Sequence, residues 1–509
     1  MERDQPVTLS RRRFLGTSAA LVGLTSKTGR PVAGGFVDGS APIGHRLRDH
    51  GAFPTPERAV RIPLVIVGGG IAGLSAAWRL DKRGFRDFVI VEMEQRAGGN
   101  ARWGENEVTA YPWGAHYVPV PGRRAVLVRE LFEELGILRD GQWEERYLCF
   151  DPQERLFLHG AWQDGLEPTI GLGTRDREEL RRFAARMAEF RATGRFTIPM
   201  ALGAGDAASP LDRVSMAEWL QHEGFTSPVV RWYVDYACRD DYGALLSDAS
   251  AWAGVHYFAS REPEERGPLT WPEGNGWIVR QLLARVGKYL ETNAFVHRIE
   301  PTGTRWRVLA ARTAYVADAV IFAAPTFLAP YVIPGVPDPH FVYSPWLTAN
   351  LTLDRWPRER GMPVAWDNVI YNSPALGYVV ATHQSLRTTS DRTVWTFYWA
   401  LADGAPAANR ALLLQRDWGF WKEAILADLE RAHPDIRTCV SRIDVMRLGH
   451  AMVRPAVGFL AVRERFRRAH LPERVFFANS DLSGLSLFEE AQYRGVTAAD
   501  RALATLTRP

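Results

Sequence analysis

Apolar residues run along this chain in two rhythms. Val65-Ile66-Val67 and Phe88-Val89-Ile90-Val91 are short, unbroken β-prone runs of the kind that form strands buried on both faces. Between them, Leu74-Ser75-Ala76-Ala77-Trp78-Arg79-Leu80 places apolar residues at helical spacing, and Gly84 stands where a helix C-cap glycine belongs. The order predicts strand, helix, strand. Further on, a helical stretch over Ile278–Leu290 precedes a strand-like alternation over Thr292–Ile299. Two more strands are expected at Trp306–Ala310 and Ala319–Pro325. The chain closes with a strand over Arg474–Asn479 and a helix through Glu489–Ala499. The long spans between these pieces differ from each other. Residues 121–269 read as largely helical, for example over Arg123–Leu138 and Arg175–Arg195, whereas 331–469 contain strand-like runs at Trp346–Leu353 and Thr393–Leu401.

The turn between the first strand and helix carries the clearest chemistry. Gly68, Gly70 and Gly73 have G-x-G-x-x-G spacing, with Ile71 and Ala72 opening the helix. Gly68 permits the tight turn, Gly70 leaves the backbone open to a pyrophosphate, and Gly73 lets helix and strand pack closely. The helix start then aims unpaired N–H groups and its positive dipole end at phosphate. Glu92 ends the second strand 19 residues past Gly73, close to the ~20 expected of the acid that binds a ribose hydroxyl. These residues predict a dinucleotide site for either FAD or NAD(P).

The residues after Glu92 bear on that choice. Glu92-Met93-Glu94-Gln95-Arg96-Ala97-Gly98-Gly99 resembles the flavin amine oxidase superfamily, which includes amine oxidases, phytoene-type desaturases and protoporphyrinogen oxidases. In that group a basic residue and a second glycine pair follow the strand-end Glu. Asn100 stands where the family usually has Arg, and Arg102 is the candidate to supply that charge. The closing stretch from Asp481 through Gly484 to Gly495 resembles the family's last strand and flavin-facing helix, with Glu490 replacing a usual glycine. Trp271–Trp277, the following helix, the Val296 strand, a hairpin and the Ala-Ala-Pro strand end match the family order between them.

The resemblance implies an α/β fold: a Rossmann-like FAD-binding domain with a glutathione-reductase-like sheet, interleaved with an α+β substrate domain. FAD binding falls to 61–120, 270–330 and 470–509, and the substrate domain to 121–269 and 331–469. It further implies cofactor contacts from Glu92, Arg96, Gly98, Gly99, Asn100 and Arg102, an adenine contact at Val296, and flavin or phosphate contacts at Asp481 and Phe488.

Charge adds a destination. Residues 1–33 hold six Lys or Arg and two acids, and the remainder carries 56 of each sign, so the body offers no electrostatic case for nucleic acid. Ser10-Arg11-Arg12-Arg13-Phe14-Leu15 matches the twin-arginine export pattern, and the apolar stretch Phe14–Leu24 is too short to span a membrane. The expectation is an exported, periplasmic protein whose leader, 1–33, engages the twin-arginine machinery and is followed by a Gly- and Pro-rich linker over 34–60. The three cysteines, Cys149, Cys238 and Cys439, show no metal spacing, and no metal site is expected.

The substrate side is less defined. Hydride transfer to flavin N5 needs no nucleophile or triad. In many amine oxidases a lysine holds a water beside N5, but the loosely matching stretch Pro345–Asp354 contains Thr348, Ala349 and Asn350 and no lysine. Trp113-Gly114-Ala115-His116-Tyr117 resembles the desaturase side of the superfamily, with His116 as hydrogen-bond donor to flavin or substrate, or equally as a structural histidine. Asp240 and Asp241, in a dense polar cluster, are first of all helix-end ion-pair partners and otherwise candidates for binding a polar or cationic substrate; Asp241 and His450 complete the catalytic candidates with His116. The reading is hydride removal from a C–N or C–C bond of a small molecule. The alternatives are a phytoene-desaturase-like dehydrogenase or isomerase on an apolar substrate, and a flavin-binding assembly factor without turnover.

Overall fold

The computed structural model describes residues 31–37, 39, 41–49, 51–203, 209–261, 267–359, 361–385 and 390–507. The twin-arginine run at 10–15 lies outside them. Leu64–Val67 and Phe88–Val91 are fully buried neighbours in a five-stranded parallel sheet, with Leu64 opposite Phe88 and Val67 opposite Val91. Helix Ile71–Lys82 connects them, and Gly84 follows it at φ +79°. Ala319–Phe322 and Val475–Phe477 extend the sheet on one side and Leu290–Glu291 on the other, so its C-terminal strand Val475–Phe477 is an edge. The closing helix Phe488–Leu506 packs tightly on helix Ile71–Lys82: a Cβ on Gly495 would sit 2.1 Å from the Ala72 carbonyl oxygen.

A four-stranded sheet flanks this core, in the order Val296–Thr302, Arg305–Ala310, Thr313–Ala317, Arg58–Arg61. The strand around Val296 starts later than its alternation predicts, because Asn293 and Ala294 donate their backbone N–H groups to Glu94 and Glu92 instead.

The second body is an eight-stranded mixed sheet. Its centre is made by Val342–Leu353, Thr393–Ala400 and the 15-residue strand Val440–Arg454. The span 121–269 contributes strands as well as helices: Glu154–Leu158 joins this sheet in parallel with Asp367–Ile370, in a register that puts Glu154 directly beside Asp367. Helices Pro228–Tyr242 and Ala251–Ala259, capped by Ser227 and Ser250, cover it.

The expected linker over 34–60 is corrected. Ala33–Phe36 pairs in parallel with Arg442–Val445 at the edge of the large sheet, Ala41–Arg48 is a helix, and Arg58–Arg61 pairs with Thr313–Val316. A Gly-rich strand lacks the apolar alternation that marks strands in sequence, and Gly34 is required for contact: its Cβ would lie 1.9 Å from the Ile443 carbonyl oxygen. Among the described residues no helix is long and apolar enough to cross a membrane.

Candidate active site

Two glycine turns meet back to back. Gly98 donates its N–H to the Gly69 carbonyl at 2.9 Å, and Gly70 and Gly98 form an isolated parallel bridge. Gly68 (φ +103°), Gly98 (φ +131°) and Gly99 (φ +56°) hold conformations that L side chains rarely adopt. Gly73 is required for packing, since its Cβ would lie 1.9 Å from the Gly68 carbonyl oxygen. Gly70 is different. Its φ of −77° suits any residue, and its Cβ would meet nothing nearer than the Gly99 Cα at 3.8 Å. The fold itself does not demand glycine there; a ligand lying across the crevice between Gly70 and Gly99 does. Ile71 and Ala72 bury their side chains and leave first-turn N–H groups facing that crevice.

Glu92 is buried at the strand end. It accepts hydrogen bonds from the Gly69 N–H at 2.6 Å and the Glu94 N–H at 2.8 Å, and burial holds its pKa above the usual range against those two donors. Arg102 donates from Nε to the Gly99 carbonyl at 3.0 Å, which puts its charge at the second turn. Arg96 is exposed beside it. Asn100 reaches the substrate sheet, donating from Nδ2 to the Ala451 carbonyl at 2.6 Å. Val296 keeps its side chain in the core next to the Glu92 strand end. These residues fit a dinucleotide: open backbone at the phosphates, a buried acid at the strand end, and a helix dipole aimed between them.

One other cofactor expectation is corrected. The Asp481 carboxylate is taken up within the protein, accepting from the Thr326 N–H at 2.7 Å, Thr326 Oγ1 at 2.6 Å and the Tyr343 hydroxyl at 2.7 Å. It braces one strand end against another instead of meeting ribityl or phosphate. The Phe488 ring stacks on Phe132 in the core, so what it offers at the helix start is its backbone. Glu490, at the place of a glycine, turns away to accept from the Met200 N–H and from Ser483 Oγ at 2.5 Å.

The Gly114–Tyr117 segment crosses close to this cradle. Ala115 donates its N–H to the Asn100 carbonyl at 2.8 Å, and a Cβ on Gly114 would lie 2.3 Å from that same oxygen. The Trp271–Trp277 turn clamps the segment from the other side. Gly274, at φ +58°, lies against His116, Thr270 Oγ1 donates to the His116 carbonyl at 2.7 Å, and Asn275 Nδ2 donates to the Tyr117 carbonyl at 3.0 Å. From the substrate sheet, Asn350 Nδ2 donates to the Pro112 carbonyl at 3.0 Å and the Tyr398 hydroxyl to the Gly114 carbonyl at 2.9 Å. Asn350, in the lysine-free stretch Pro345–Asp354, thus anchors the chain just ahead of this segment, and Tyr398 on the neighbouring strand anchors the segment itself. Of the described lysines, Lys82 and Lys422 are paired with acids on helices elsewhere and Lys288 lies over Tyr289.

His116 stacks on Tyr398, with centroids 4.5 Å apart at 25°. Its Nδ1 lies 3.3 Å from the Gly114 carbonyl oxygen, which only accepts, so Nδ1 carries the proton. Burial pushes the pKa down to about 4. The ring is neutral near pH 7 and Nε2 is an acceptor, which corrects the expected donor.

Beyond His116 lies a cluster of desolvated acids among aromatic rings, which we read as the wall of a recess. Glu154, Asp240 and Asp367 keep some accessible surface although each is strongly desolvated, as groups lining an internal recess do. Asp240 is pushed up to about 7 by burial and then by the neighbouring Asp241 charge. Asp367 is pushed well up by burial, then by Glu154 and Asp240. Glu154 is raised by burial, with Arg261 opposing. Tyr117, Tyr233, Tyr257 and Trp366 stand among these acids. Asp241, the expected catalytic acid, is corrected: it is paired with Arg261 at 3.0 Å, and that guanidinium lies 4.1 Å from the Tyr257 ring centroid. Among the described residues the adjacent Asp240 has no ion-pair partner and lies among the desolvated acids. Glu154, Asp367 and Arg261 were missed because no local motif marks them. His450 has other neighbours, stacking on Phe327 at 4.6 Å, and burial holds it neutral at about 4.

Comparison with known proteins agrees with this geometry. Residues 71–503 match the model of the flavin containing amine oxidoreductase family. A zeta-carotene-forming phytoene desaturase of Myxococcus xanthus is 27% identical over 302 residues, covering 54% of this chain and 55% of that protein. A 15-cis-phytoene desaturase of Narcissus pseudonarcissus is 32% identical over 99 residues, covering 19% of this chain and 16% of that one. The chain thus spans about half or less of the curated relatives it matches. A solved putrescine oxidase double mutant shares the fold, with a TM-score of 0.68 at 16% identity over 88% of this chain and 100% of that one. The family match covers most of the chain, and the paired glycine turns fit its cofactor, FAD: the protein belongs to the flavin containing amine oxidoreductase family.

Proposed function

We propose that the protein is an FAD-dependent oxidoreductase of amines that carry a positive charge elsewhere in the molecule, removing hydride from the carbon next to an unprotonated nitrogen, whose lone pair forms the C=N bond of the iminium product. The observation that carries this reading is the acidic recess beside His116. Glu154 and Asp367 are cross-strand partners of like charge, an arrangement that destabilises a sheet by itself. Asp240 joins them, and of the described guanidiniums that act on it Arg261 is committed to Asp241 and Arg239 to Asp235. Burial and mutual repulsion favour the neutral form of these acids, and a positively charged substrate entering among them favours their ionisation and is held by it. Tyr and Trp faces suit an organic cation. Among the described residues no three His, Cys, Asp or Glu side chains are grouped to hold a metal ion.

FAD, when bound, accepts the hydride. The chain's own residues do the rest. Gly114–Tyr117, clamped by the Trp271–Trp277 turn, holds His116 in place, and Nε2 accepts a hydrogen bond from the amine N–H. The carboxylates hold the charge. An apolar, carotenoid-like substrate is disfavoured, since desolvating three carboxylates against hydrocarbon is costly. The test is anaerobic mixing of flavin-loaded protein with a panel of amines and apolar polyenes. Bleaching of the flavin by amines supports the proposal; bleaching by polyenes alone overturns it.

The Ser10–Leu15 run supports export of the folded, FAD-loaded protein through the twin-arginine machinery to the periplasm. Replacing Arg11 and Arg12 by Lys should leave the protein in the cytoplasmic fraction; unchanged export would contradict this.

A further inference from the structure

A second site lies on the far side of the FAD-binding body, along its edge strand. A groove of about 1040 Å³ runs between helix Phe459–Arg468, the turn that follows it, the edge strand Val475–Phe477 and the closing helix. Arg463, Arg467, Arg468, Arg474, Arg494 and Arg501 all line it, together with His470, against two acids, Glu464 and Glu473. The dinucleotide cradle, by contrast, sits over the strand Leu64–Val67 in the middle of the sheet, so the groove is a separate place.

The acids do not neutralise it. Glu464 is held by Arg467 at 2.8 Å and by Arg468 at 2.6 Å. Among the described residues no carboxylate lies within ion-pair distance of Arg463, Arg474, Arg494 or Arg501. Arg463 is the most telling. Its Nη1 lies 2.8 Å from Met200 Sδ, an uncharged and weak acceptor, and its Nε is buried with no hydrogen-bond partner among the described residues. Among the described residues Arg494 donates to neutral acceptors, Ser483 Oγ at 3.0 Å and the Leu482 carbonyl at 3.4 Å, with the buried Glu490 and Asp481 charges acting on it from farther away. Burial and the nearby Arg494 and Arg467 charges bring Arg463 down to about 10. Among the described residues Glu464 and Glu490 oppose this only from beyond ion-pair distance, and a desolvated guanidinium beside other guanidiniums is costly, a cost that a multivalent oxyanion removes.

We propose that this groove binds a phosphate-bearing ligand, with Arg463 and Arg494 holding the phosphate oxygens and Arg467, Arg468, Arg474 and Arg501 supplying the surrounding positive field. The planar guanidinium fork matches phosphate geometry. Occupancy reaches the flavin end of the molecule by a short path: Arg494 holds Ser483, whose hydroxyl donates to Glu490 in the first turn of the closing helix.

The test uses flavin-loaded enzyme, so that the cofactor's own phosphate site is filled. Calorimetric titration with inorganic pyrophosphate at low ionic strength should show saturable binding. Arg463→Gln should weaken it about tenfold or more, with the flavin spectrum unchanged. Arg474→Gln/Arg501→Gln, at exposed positions, should weaken it less and steepen nothing else. Co-sedimentation with phosphatidylglycerol or phosphatidylcholine vesicles separates the sources. Pelleting only with the anionic vesicles, reversed by pyrophosphate, identifies a lipid headgroup; pyrophosphate binding without pelleting identifies a soluble phosphate ester. Absence of saturable binding, or binding unchanged in both sets of variants, overturns the proposal.

Discussion

The glycine cradle and the acidic recess lie on either side of the Gly114–Tyr117 segment, yet they are built by opposite means. The cradle is backbone: two tight turns, one contributed by each of two consecutive loops, whose shape follows from missing side chains. The recess is side chain: carboxylates and rings carried by strands and helices from distant parts of the chain. The first binds a ligand that many proteins share, and local backbone geometry is enough for it. The second, on the function proposed above, selects one ligand among many through charge placed in a desolvated space.

The sharpest break between the two regions comes from Gly73. Gly73→Ala drives a Cβ into the Gly68 carbonyl and should cost roughly 1–3 kcal/mol or more of stability, with loss of flavin; thermal melting and the ratio of flavin to protein absorbance read both. Gly70→Ala separates cofactor from fold. Its Cβ meets only ordinary contacts, so the melting temperature should hold while flavin affinity falls about tenfold or more. Equal losses in both would mean that Gly70 serves packing.

On the recess side the expected effects are smaller and pH-dependent. Asp240 is raised to about 7, so it is neutral below that pH and charged above it. Its help to a cationic substrate is therefore present above about 7 and lost as pH falls through that value. The free-enzyme profile of kcat/KM for an amine should show this ionisation, and Asp240→Asn should remove it while lowering the plateau about tenfold. A profile unchanged in the variant would exclude Asp240 from binding. The smallest effect lies at the seam: Asn100→Ala removes one hydrogen bond to Ala451 and should cost about 1 kcal/mol of stability, with modest change in KM.

This contrast also explains what was legible in the sequence. Gly68, Gly70, Gly73, Glu92, Gly98 and Gly99 lie in one short stretch, and their spacing encodes the turn they make. The strands over Leu64–Val67 and Phe88–Val91 were legible because burial on both faces leaves an unbroken apolar run. Glu154 and Asp367 were not, because they lie more than two hundred residues apart and only sheet register makes them neighbours. Asp240 and Asp241 were visible as a pair, but which one faces the recess depends on where Arg261 reaches. Asp481 misled because a strand-end acid looks the same whether it meets a cofactor or caps Thr326. The strand Ala33–Phe36 was hidden by its glycines, which let it lie against its neighbour but blur its alternation.

The central claim is that the Glu154–Asp367 pair with Asp240 reads positive charge beside the flavin. The direct measurement is steady-state kinetics of the wild type and Asp367→Asn on two amines of equal length, one ending in a second ammonium and one in a methyl group. The account predicts that the variant raises KM for the doubly charged amine about tenfold or more, with kcat and flavin content little changed, and leaves the methyl-ended amine nearly unaffected. Equal changes for both amines, or no change for either, would contradict it.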